Sequence, residues 1–324
     1  MQIKVGIVGY GNLGKAVEEI VLKDKRFDLV KIFSRRDGIK SSFGTKFDKT
    51  DNLECYKGEI DILFLCVGSY SDIEKIGIKA ITNFNTIDSF DTHKKLKDYI
   101  LALDSCAKKN SHVGLCAFGW DPGIMSLIRV LFDSLSFDKS KSNAFWGKGV
   151  SQGHSDALRQ IFGVENAIQY TIPNIQIVKQ CKKLFNYSPQ EFLKHKRVCF
   201  VSEKMGESRE KITNEIVNMP NYFKGYDTEV NFVSNSEIRK KQKQLFHKGR
   251  IINNFKILDK YNVGLDFSLK LKSNPHFTAQ IMCVGALIVR NLFYLNKFGA
   301  YSIFDVPLSF FSSLSRDNLL AEKL

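Results

Sequence analysis

Apolar runs alternate with amphipathic stretches through the first third of the chain. The apolar runs, rich in isoleucine, valine, leucine and phenylalanine, predict strands at residues 3–8, 29–33, 60–67, 85–87 and 113–116. Between them, apolar residues recur at helical spacing, which predicts helices at residues 15–23, 73–82 and 96–108. Strands that alternate with helices are typical of a parallel sheet covered on both faces. We therefore predict a doubly wound α/β domain in this part of the chain.

After a turn at residues 120–123 the pattern changes. A helical stretch at 124–135 is followed by strand-like runs at 167–172, 197–201, 229–233 and 263–271, and then by an amphipathic helix at 279–298. Strands with fewer helices between them indicate an antiparallel sheet with packed helices, an α+β arrangement. We predict a first domain over residues 1–122, a second over 123–297, and a tail, 298–324, that packs back on the first domain.

Composition narrows the class of protein. With 324 residues, 25% of them charged and 44% hydrophobic, the chain is typical of a soluble protein of two domains. The net charge of +14 raises the question of nucleic-acid binding, but the basic residues are spread along the chain and match no nucleic-acid module. A positive field also attracts small anions. We expect anionic small molecules as partners, and neither a nucleic acid nor a membrane.

Cysteines and apolar segments bear on the compartment. The seven cysteines show no C-x-x-C pair and no metal-ligand spacing, so we expect free thiols in a reducing compartment and no bound metal. The longest apolar run, residues 281–289, is too short to span a bilayer, and the chain enters its first strand at once, without a signal peptide. These features predict a cytoplasmic protein.

A glycine motif follows the first strand. Gly9, Gly11 and Gly14 form G-x-G-x-x-G between the strand that ends at Val8 and the helical stretch that starts at Lys15. Such glycines allow a tight turn, let the backbone approach a pyrophosphate, and let helix pack on strand. The N–H groups at the start of the helix then face the phosphates. The motif predicts a Rossmann domain; a glycine-rich turn in another α/β protein is the alternative.

The end of the second strand indicates which dinucleotide is bound. In NAD-binding proteins this position usually carries an acidic residue that binds the ribose 2′-hydroxyl. Here it reads Ser34, Arg35 and Arg36, and a hydroxyl with two guanidinium groups suits a 2′-phosphate. We therefore predict NADP as the cofactor and hydride transfer as the reaction class. The alternative for the two arginines is a solvated loop end.

Polar groups after later strands add candidates. Gly68 and Ser69, and the segment 89–91, fall where ligands bind at the carboxyl edge of a parallel sheet. In the second half, the turn at 119–123 and Arg197 carry charge that suits a polar substrate. A structural turn and a surface cation are the competing interpretations of these two.

These residues occur together in a known family. The chain resembles the meso-diaminopimelate D-dehydrogenases along nearly its whole length, in the stretches 6–14, 32–36, 63–66, 119–123, 145–147, 151–159, 219–223 and 274–279. The block from Trp146 to Arg159 is the more specific part, because many enzymes share the Rossmann motif. The resemblance implies NADP-dependent oxidative deamination at the D-centre of meso-2,6-diaminoheptanedioate. The products are ammonia and L-2-amino-6-oxoheptanedioate, which cyclises to tetrahydrodipicolinate. The resemblance further implies reversibility, a homodimer, and a place in lysine and cell-wall precursor synthesis.

The motif and the resemblance together imply the site residues. The cofactor is expected to contact Gly9, Tyr10, Gly11, Asn12, Leu13, Gly14, Ser34, Arg35, Arg36, Cys66, Val67, Gly68, Ser69, Ser89, Phe90, Asp91, Phe118, Gly119, Trp120, Asp121 and Pro122. The substrate is expected to contact Asp91, Asp121, Trp146, Gln152, Gly153, Thr171, Arg197, His247 and Asn274. Asp91 and Asp121 suit the amine that is oxidised, and either is the candidate catalytic base. Phe90 and Phe118 depart from the family, where we expect tyrosine and a small hydroxyl residue.

Two other functions are compatible with parts of the sequence. One is another NADP-dependent amino-acid reductase or dehydrogenase; dihydrodipicolinate reductases are similar at the N-terminus, but this chain lacks their adjacent histidine pair. The other is a non-catalytic NADP-binding sensor. Such a sensor would not need Asp91, Asp121, Trp146 and Arg197, and the chain has all four. The dehydrogenase is therefore the preferred interpretation.

Overall fold

The computed structural model describes residues 2–68, 72–136 and 141–324, which form two compact units. The strands are β1 (Ile3–Val8), β2 (Phe27–Ser34), β3 (Phe47–Lys49), β4 (Ile62–Leu65), β5 (Asn85–Asp88), β6 (Val113–Leu115), β7 (Asn143–Trp146), β8 (Gly149–Val150), β9 (Val164–Pro173), β10 (His195–Glu203), β11 (Asp227–Phe232), β12 (His247–Ile257), β13 (Tyr261–Leu271) and β14 (Gly299–Tyr301).

The helices alternate with these strands. They are α1 (Asn12–Lys23), α2 (Ile73–Ala80), α3 (His93–Lys109), α4 (Ile124–Ser134), α5 (Gln152–Arg159), α6 (Ile175–Lys183), α7 (Arg209–Asn218), α8 (Asn235–Gln242), α9 (Asn274–Tyr294) and α10 (Arg316–Lys323). Short 3₁₀ helices lie at Thr50–Tyr56, Glu191–Leu193 and Leu308–Phe311.

The first unit contains one parallel sheet. Its strand order is β14-β6-β5-β4-β1-β2-β3, and every pairing is parallel. The chain runs outward from β1 in one direction and from β4 in the other, so the order reverses between these two strands. Ligands of doubly wound sheets bind beside such a switch point. The predicted Rossmann architecture is confirmed, with β14 added at the far edge.

Burial explains why these runs form strands. All four residues of β4 are buried, and Lys4 is the one exposed residue of β1. A parallel sheet is covered on both faces, so its strands carry nearly continuous apolar residues. Helix α9 lies so close to the sheet that a Cβ on Gly285 would overlap the Ile87 side chain. This helix therefore forms part of the first unit's core.

The position of α9 changes the expected domain boundary. By its internal contacts the first unit comprises Met1–Ile124 and Pro275–Leu324, and the second comprises Met125–Asn274. The expected boundary at residue 297 lies too late, because the apolar face of α9 packs on the sheet of the first unit. By length and composition alone α9 is apolar enough to cross a membrane, with a mean hydropathy of 1.4, although 56% of that stretch is buried inside the protein.

The second unit contains two sheets. One has the order β11-β10-β9-β8 and the other β13-β12-β7. The pairings are antiparallel except for β10 with β11, which is parallel. The expectation of an antiparallel sheet therefore needs one correction. Helix α7 connects β10 to β11, and a helical crossover lets consecutive strands run in the same direction.

Each face of the four-stranded sheet has its own core. Ala167, Cys199 and Val201 pack with Leu158 of α5 and Ile216 of α7 on one face. On the other face a second cluster includes residues of α8, β9 and β10. Side chains alternate between faces along a strand. Residues 171 and 197 therefore extend the row that begins with Ala167 and Cys199, on the face covered by α5.

Candidate functional site

The turn after β1 requires glycine at two positions. Gly9 has a φ of +95°, and a Cβ there would lie 2.6 Å from the carbonyl oxygen of Cys66. A Cβ on Gly14 would overlap the carbonyl oxygen of Gly9, so glycine lets α1 begin close to β1. A Cβ on Gly11 would meet nothing within 4 Å. The turn is therefore tight on its inner side and open on its outer side, where a pyrophosphate would approach.

The segment after β2 is fixed beside this turn. Ser34 is buried, and its Oγ accepts the N–H of Arg36 at 3.1 Å. The Nη2 atom of Arg36 donates to the carbonyl oxygen of Tyr10 at 2.9 Å. Arg35 forms an ion pair with Asp72, 2.5 Å between Nη2 and Oδ2. Two guanidinium groups and a hydroxyl thus lie at the end of β2, and this donor set fits a 2′-phosphate.

A cavity of about 400 Å³ lies next to Arg35. Leu53 and Ile76 are its apolar lining residues, and its charged lining residues are three cations and two carboxylates: Arg35, Lys75, Lys79, Asp51 and Asp72. The cavity adjoins the end of β2, where the adenosine half of a dinucleotide binds in this fold. This cavity was not predicted from the sequence, since most of its lining comes from the 3₁₀ helix Thr50–Tyr56 and from α2.

The remaining predicted cofactor residues follow β4, β5 and β6. Because these strands are parallel, their carboxyl ends share one edge of the sheet with the glycine turn. The fold therefore brings residues 66–68, 89–91 and 118–122 to the same edge. Asp91 and Asp121 are both partly buried there. Ser69 lies outside the residues that the structure describes.

Asp88, at the end of β5, was not identified from the sequence. Its Oδ1 accepts the N–H groups of Phe90 and Ala117 at 2.9 Å each, and its Oδ2 accepts the hydroxyl of Tyr99 at 2.8 Å. The side chain is fully buried, and this burial raises the pKa of Asp88 although the hydrogen bonds oppose the shift. The carboxyl group thus joins the ends of β5 and β6.

Asp88 therefore positions both predicted catalytic carboxylates. Asp91 follows directly after the turn held through Phe90, and Asp121 follows after the segment held through Ala117. The N–H of Phe118 also donates to the backbone oxygen of Asp88 at 2.8 Å. A polar side chain at the end of a buried strand was the available sequence signal, but the cofactor motif did not include it.

Phe90 and Phe118 have their side chains in the core of the first unit. Both are fully buried. The Phe90 ring meets Tyr99 edge to face, with centroids 5.0 Å apart, and the Phe118 ring lies 5.5 Å from Phe311. Only the backbone of these two residues is left for a cofactor contact. The expected cofactor contacts of Phe90 and Phe118 therefore remain a prediction for their backbone, because the apolar rings pack inward.

The predicted turn at Gly119 to Gly123 is compact. The N–H of Gly119 donates to the carbonyl oxygen of Pro122, and the N–H of Ile124 donates to that of Gly119, both at 3.1 Å. Gly123 has a φ of +135°, and a Cβ there would overlap Gly119. The loop that carries Asp121 is thus closed on itself at both ends.

In the second unit, Arg197 and Thr171 lie opposite each other on β10 and β9. Nη1 of Arg197 donates to Oγ1 of Thr171 at 2.7 Å, and the guanidinium lies 4.4 Å from the centroid of the Tyr226 ring. Both residues are buried, and burial lowers the pKa of Arg197. Among the described ion pairs none includes Arg197, and its Nε has no hydrogen-bond partner. The alternative of a surface cation is thereby excluded.

Trp146 is held by a histidine that the sequence did not single out. The N–H of Trp146 donates to Nε2 of His195 at 2.8 Å. Burial, with the charge of Arg197 nearby, lowers the pKa of His195 to about 3, so the ring is neutral and Nε2 accepts. His195 thus fixes the end of β7 through a neutral hydrogen bond.

His247 packs against the segment after β7. A Cβ on Gly149 would overlap the His247 ring, and Gly147 donates its N–H to the carbonyl oxygen of Lys248 at 2.8 Å. Nδ1 of His247 lies 2.9 Å from the same oxygen, and burial lowers its pKa to about 4. A neutral ring that donates from Nδ1 leaves Nε2 as an acceptor.

The other predicted substrate residues lie at the ends of helices. Gln152 and Gly153 begin α5, which packs on β9. Asn274 begins α9, and its N–H donates to the carbonyl oxygen of Leu245, just before β12, at 2.7 Å. Four predicted substrate residues are thus connected through the segment 146–149. Trp146 begins this segment, Gly149 pairs with Thr171 and packs against His247, and Thr171 accepts a hydrogen bond from Arg197. Gln152 follows the segment along the chain.

Comparison with known proteins identifies relatives of this arrangement. Residues 119–273 match the family model of the diaminopimelic acid dehydrogenase C-terminal domain. A meso-diaminopimelate D-dehydrogenase from Ureibacillus thermosphaericus is 40% identical, with 100% of this chain and 99% of that protein covered. The crystal structure of the Corynebacterium glutamicum DAP dehydrogenase in complex with DAP has a TM-score of 0.93 at 33% identity, over 100% and 99% of the two chains. An engineered D-amino acid dehydrogenase bound to NADP⁺ also has a TM-score of 0.93, at 31% identity over both whole chains.

Proposed function

The chain belongs to the meso-diaminopimelate D-dehydrogenase family, and we propose that it catalyses the NADP-dependent oxidative deamination of meso-2,6-diaminoheptanedioate at its D-centre. The products are L-2-amino-6-oxoheptanedioate, which cyclises to tetrahydrodipicolinate, and ammonia. The reaction is reversible and belongs to the synthesis of diaminopimelate and lysine. The enzyme is an amino-acid dehydrogenase acting on a CH–NH₂ group.

The buried guanidinium of Arg197 is the observation that carries this proposal. An isolated buried charge is costly, and an ion pair or a bound ion of opposite sign offsets that cost. Thr171 and Tyr226 orient the group without neutralising it. A substrate carboxylate supplies the missing charge and accepts from the remaining N–H groups. Diaminopimelate has two carboxylates and two amines, so its site needs both signs.

The chemistry of the D-centre assigns a role to the aspartates. The hydrogen of the D-centre leaves as hydride, with the electron pair of the C–H bond, while the amine nitrogen loses a proton and a C=N bond forms. Water then adds to the carbon of this C=N bond, and ammonia leaves. When bound, NADP⁺ supplies the hydride acceptor. Asp91 or Asp121 accepts the proton of the amine, since both follow strands whose ends meet at the nicotinamide edge. Trp146, whose N–H is held by His195, is a proposed substrate contact of the second unit.

The fit of the cofactor rests on the glycine turn and the β2 segment. Gly9 and Gly14 make the turn tight, and the space beside Gly11 is open to a pyrophosphate at the start of α1. Arg36 forms a hydrogen bond to the carbonyl oxygen of Tyr10 in this turn. The residues would hold NADP through Ser34, Arg35 and Arg36 at the 2′-phosphate.

Replacing Arg197 tests the proposal. We expect Arg197→Met to raise the KM for meso-diaminopimelate by about 100-fold, because a charge-assisted hydrogen-bonded pair is lost. The dissociation constant for NADP⁺ should stay unchanged, and stability should not fall, since a buried charge is removed. Arg209→Met is the control in the same unit, because Arg209 pairs with Glu203 at the surface. An unchanged KM in Arg197→Met would contradict the carboxylate assignment.

We further propose a homodimer in the cytoplasm. Val130 and Leu131 of α4 are about half exposed, at 48% and 51%, which supports an apolar contact surface. All seven cysteines are free, which supports a reducing compartment. Light scattering in solution tests the dimer: a monomer mass of 37.0 kDa would contradict it.

A further inference from the structure

Glu18 is a fully buried acid in α1 to which the proposed mechanism gives no role. Its Oε2 accepts the hydroxyl of Tyr10, and its Oε1 accepts the hydroxyl of Ser41 at 2.5 Å. Within the described chain, Glu18 takes part in no ion pair. A buried carboxylate without a cation is costly, and the two hydroxyls are the groups that satisfy it. The contacts of those hydroxyls therefore indicate what the acid is for.

The two hydroxyls come from separate segments. Tyr10 stands between the first two glycines of the phosphate turn. Ser41 lies in the loop between β2 and β3, which begins with Arg35 and Arg36, and its Oγ also accepts the N–H of Phe43 at 2.8 Å. Glu18 thus joins the turn that faces the pyrophosphate to the loop that carries the 2′-phosphate donors.

Tyr10 extends this connection to Arg36. The Tyr10 ring packs edge to face against Phe47, with centroids 4.9 Å apart, and Nζ of Lys15 lies 5.6 Å from the ring centroid. With its ring packed and its hydroxyl bonded to Glu18, the residue holds its carbonyl oxygen in one place. That oxygen accepts from Nη2 of Arg36 at 2.9 Å. Two hydrogen bonds, one at each end of Tyr10, therefore link the buried acid to the exposed guanidinium.

We infer that Glu18 is a positioning residue for cofactor preference: through Tyr10 and Ser41 it orients Arg36 and its loop toward a 2′-phosphate. The inference rests on the proposed use of NADP. Glu18 itself is fully buried, and the hydrogen bonds that start from it end at Arg36, which is proposed to bind the 2′-phosphate that NADP has and NAD lacks. Loss of its hydrogen bonds should weaken NADP binding selectively.

Calorimetric binding of NADP⁺ and NAD⁺ to the full chain tests this inference without turnover. Glu18→Met keeps the length of the side chain but leaves two buried hydroxyls without an acceptor. We expect its dissociation constant for NADP⁺ to rise about tenfold and that for NAD⁺ to stay unchanged. Glu18→Gln keeps one acceptor oxygen and should fall between wild type and Glu18→Met. Glu19→Gln is the matched control, because the neighbouring acid on the same helix pairs with Lys23 and His276.

The outcomes separate this inference from the proposed function. If Glu18→Met loses the same affinity for both dinucleotides, or keeps the wild-type preference, the role of Glu18 is contradicted, and the proposed dehydrogenase activity is not affected. A wild-type protein without preference for NADP⁺ would overturn both. If Glu18→Met does not fold, Tyr10→Phe and Ser41→Ala each remove one of the two hydrogen bonds. In each of these variants the dissociation constant for NADP⁺ should rise by about threefold and that for NAD⁺ should stay unchanged. Equal weakening of NAD⁺ in both variants would again contradict the inference.

Discussion

Two neutral histidines stabilise the residues proposed to bind substrate. His195 accepts from the backbone of Trp146, and His247 packs against Gly149 and bonds to the Lys248 carbonyl. Both rings are buried, and His195 also lies near the positive charge of Arg197, so a proton on either ring is unfavourable. The two histidines therefore serve as neutral, fixed hydrogen-bonding groups.

These histidines predict how stability depends on pH. Burial lowers the pKa of His195 from its ordinary value of 6.5 to about 3, and that of His247 to about 4. Below pH 6.5 the unfolded chain therefore binds protons that the folded chain does not, and the free energy of unfolding falls as the pH falls. The slope is about 1.4 kcal/mol per pH unit for each histidine.

Urea unfolding between about pH 7 and pH 5 measures this slope. His195→Gln supplies a neutral acceptor that does not titrate, and the variant should lose the contribution of His195, about half of what His195 and His247 contribute together. Acidic groups also titrate at lower pH, so the informative quantity is the difference in slope between variant and wild type. Identical slopes would show that His195 is not neutral in the folded protein.

The proposed base is also tested at single residues. Asp121→Asn and Asp91→Asn keep the shape of the side chain but cannot accept a proton. The variant that lacks the base should have a turnover number lower by about 10²–10⁴-fold, with little change in its affinity for NADP⁺. Asp98→Asn, at an exposed position of α3, is the control. If both site variants keep wild-type turnover, neither aspartate belongs to the mechanism.

Among elements, the junction of β5 and β6 depends on Asp88. Asp88→Leu leaves two backbone N–H groups and the Tyr99 hydroxyl without their acceptor. We expect it to lower the free energy of unfolding by about 3 kcal/mol or more. In Asp88→Asn the amide oxygen still accepts both N–H groups, and the Tyr99 hydroxyl turns to accept from the NH₂ group. Equal stability of the two variants in urea would contradict this role.

The sequence predicted some elements well and missed others for identifiable reasons. The strand predicted at residues 3–8 and the structure's β1 have the same bounds, because a buried strand before a glycine motif carries two independent signals. Strand β12 was not predicted. Its hairpin with β13 turns through Leu258 and Asp259, both with positive φ and neither a glycine, so the usual turn signal is absent.

The same contrast applies to the predicted site residues: some carried a signal in the sequence and others carried none. The glycines and Arg36 could be proposed from the sequence, because close backbone approach and phosphate charge restrict which residue types fit. Asp88 and His195 could not, since each acts through hydrogen bonds to backbone groups that are distant in sequence. Phe90 and Phe118 show the converse: a position in a motif does not establish that the side chain faces the ligand.

For the whole molecule, local patterns predicted two units but not where the chain returns to the first. The alternation of strands and helices is confined to the N-terminal part, whereas α9 and β14 join the first unit from the other end of the chain. An apolar helix carries no signal of which core it enters. That choice is made by packing, here against Ile87 through Gly285.

The central claim is that this chain oxidises one stereocentre of one diamino dicarboxylate with NADP⁺. The most direct measurement is NADPH formation at alkaline pH by the purified protein, with meso-, LL- and DD-diaminopimelate compared and NAD⁺ as the cofactor control. We predict a signal with the meso isomer and NADP⁺ alone. Inactivity with every isomer, in a protein that still binds NADP⁺, would contradict the proposed activity.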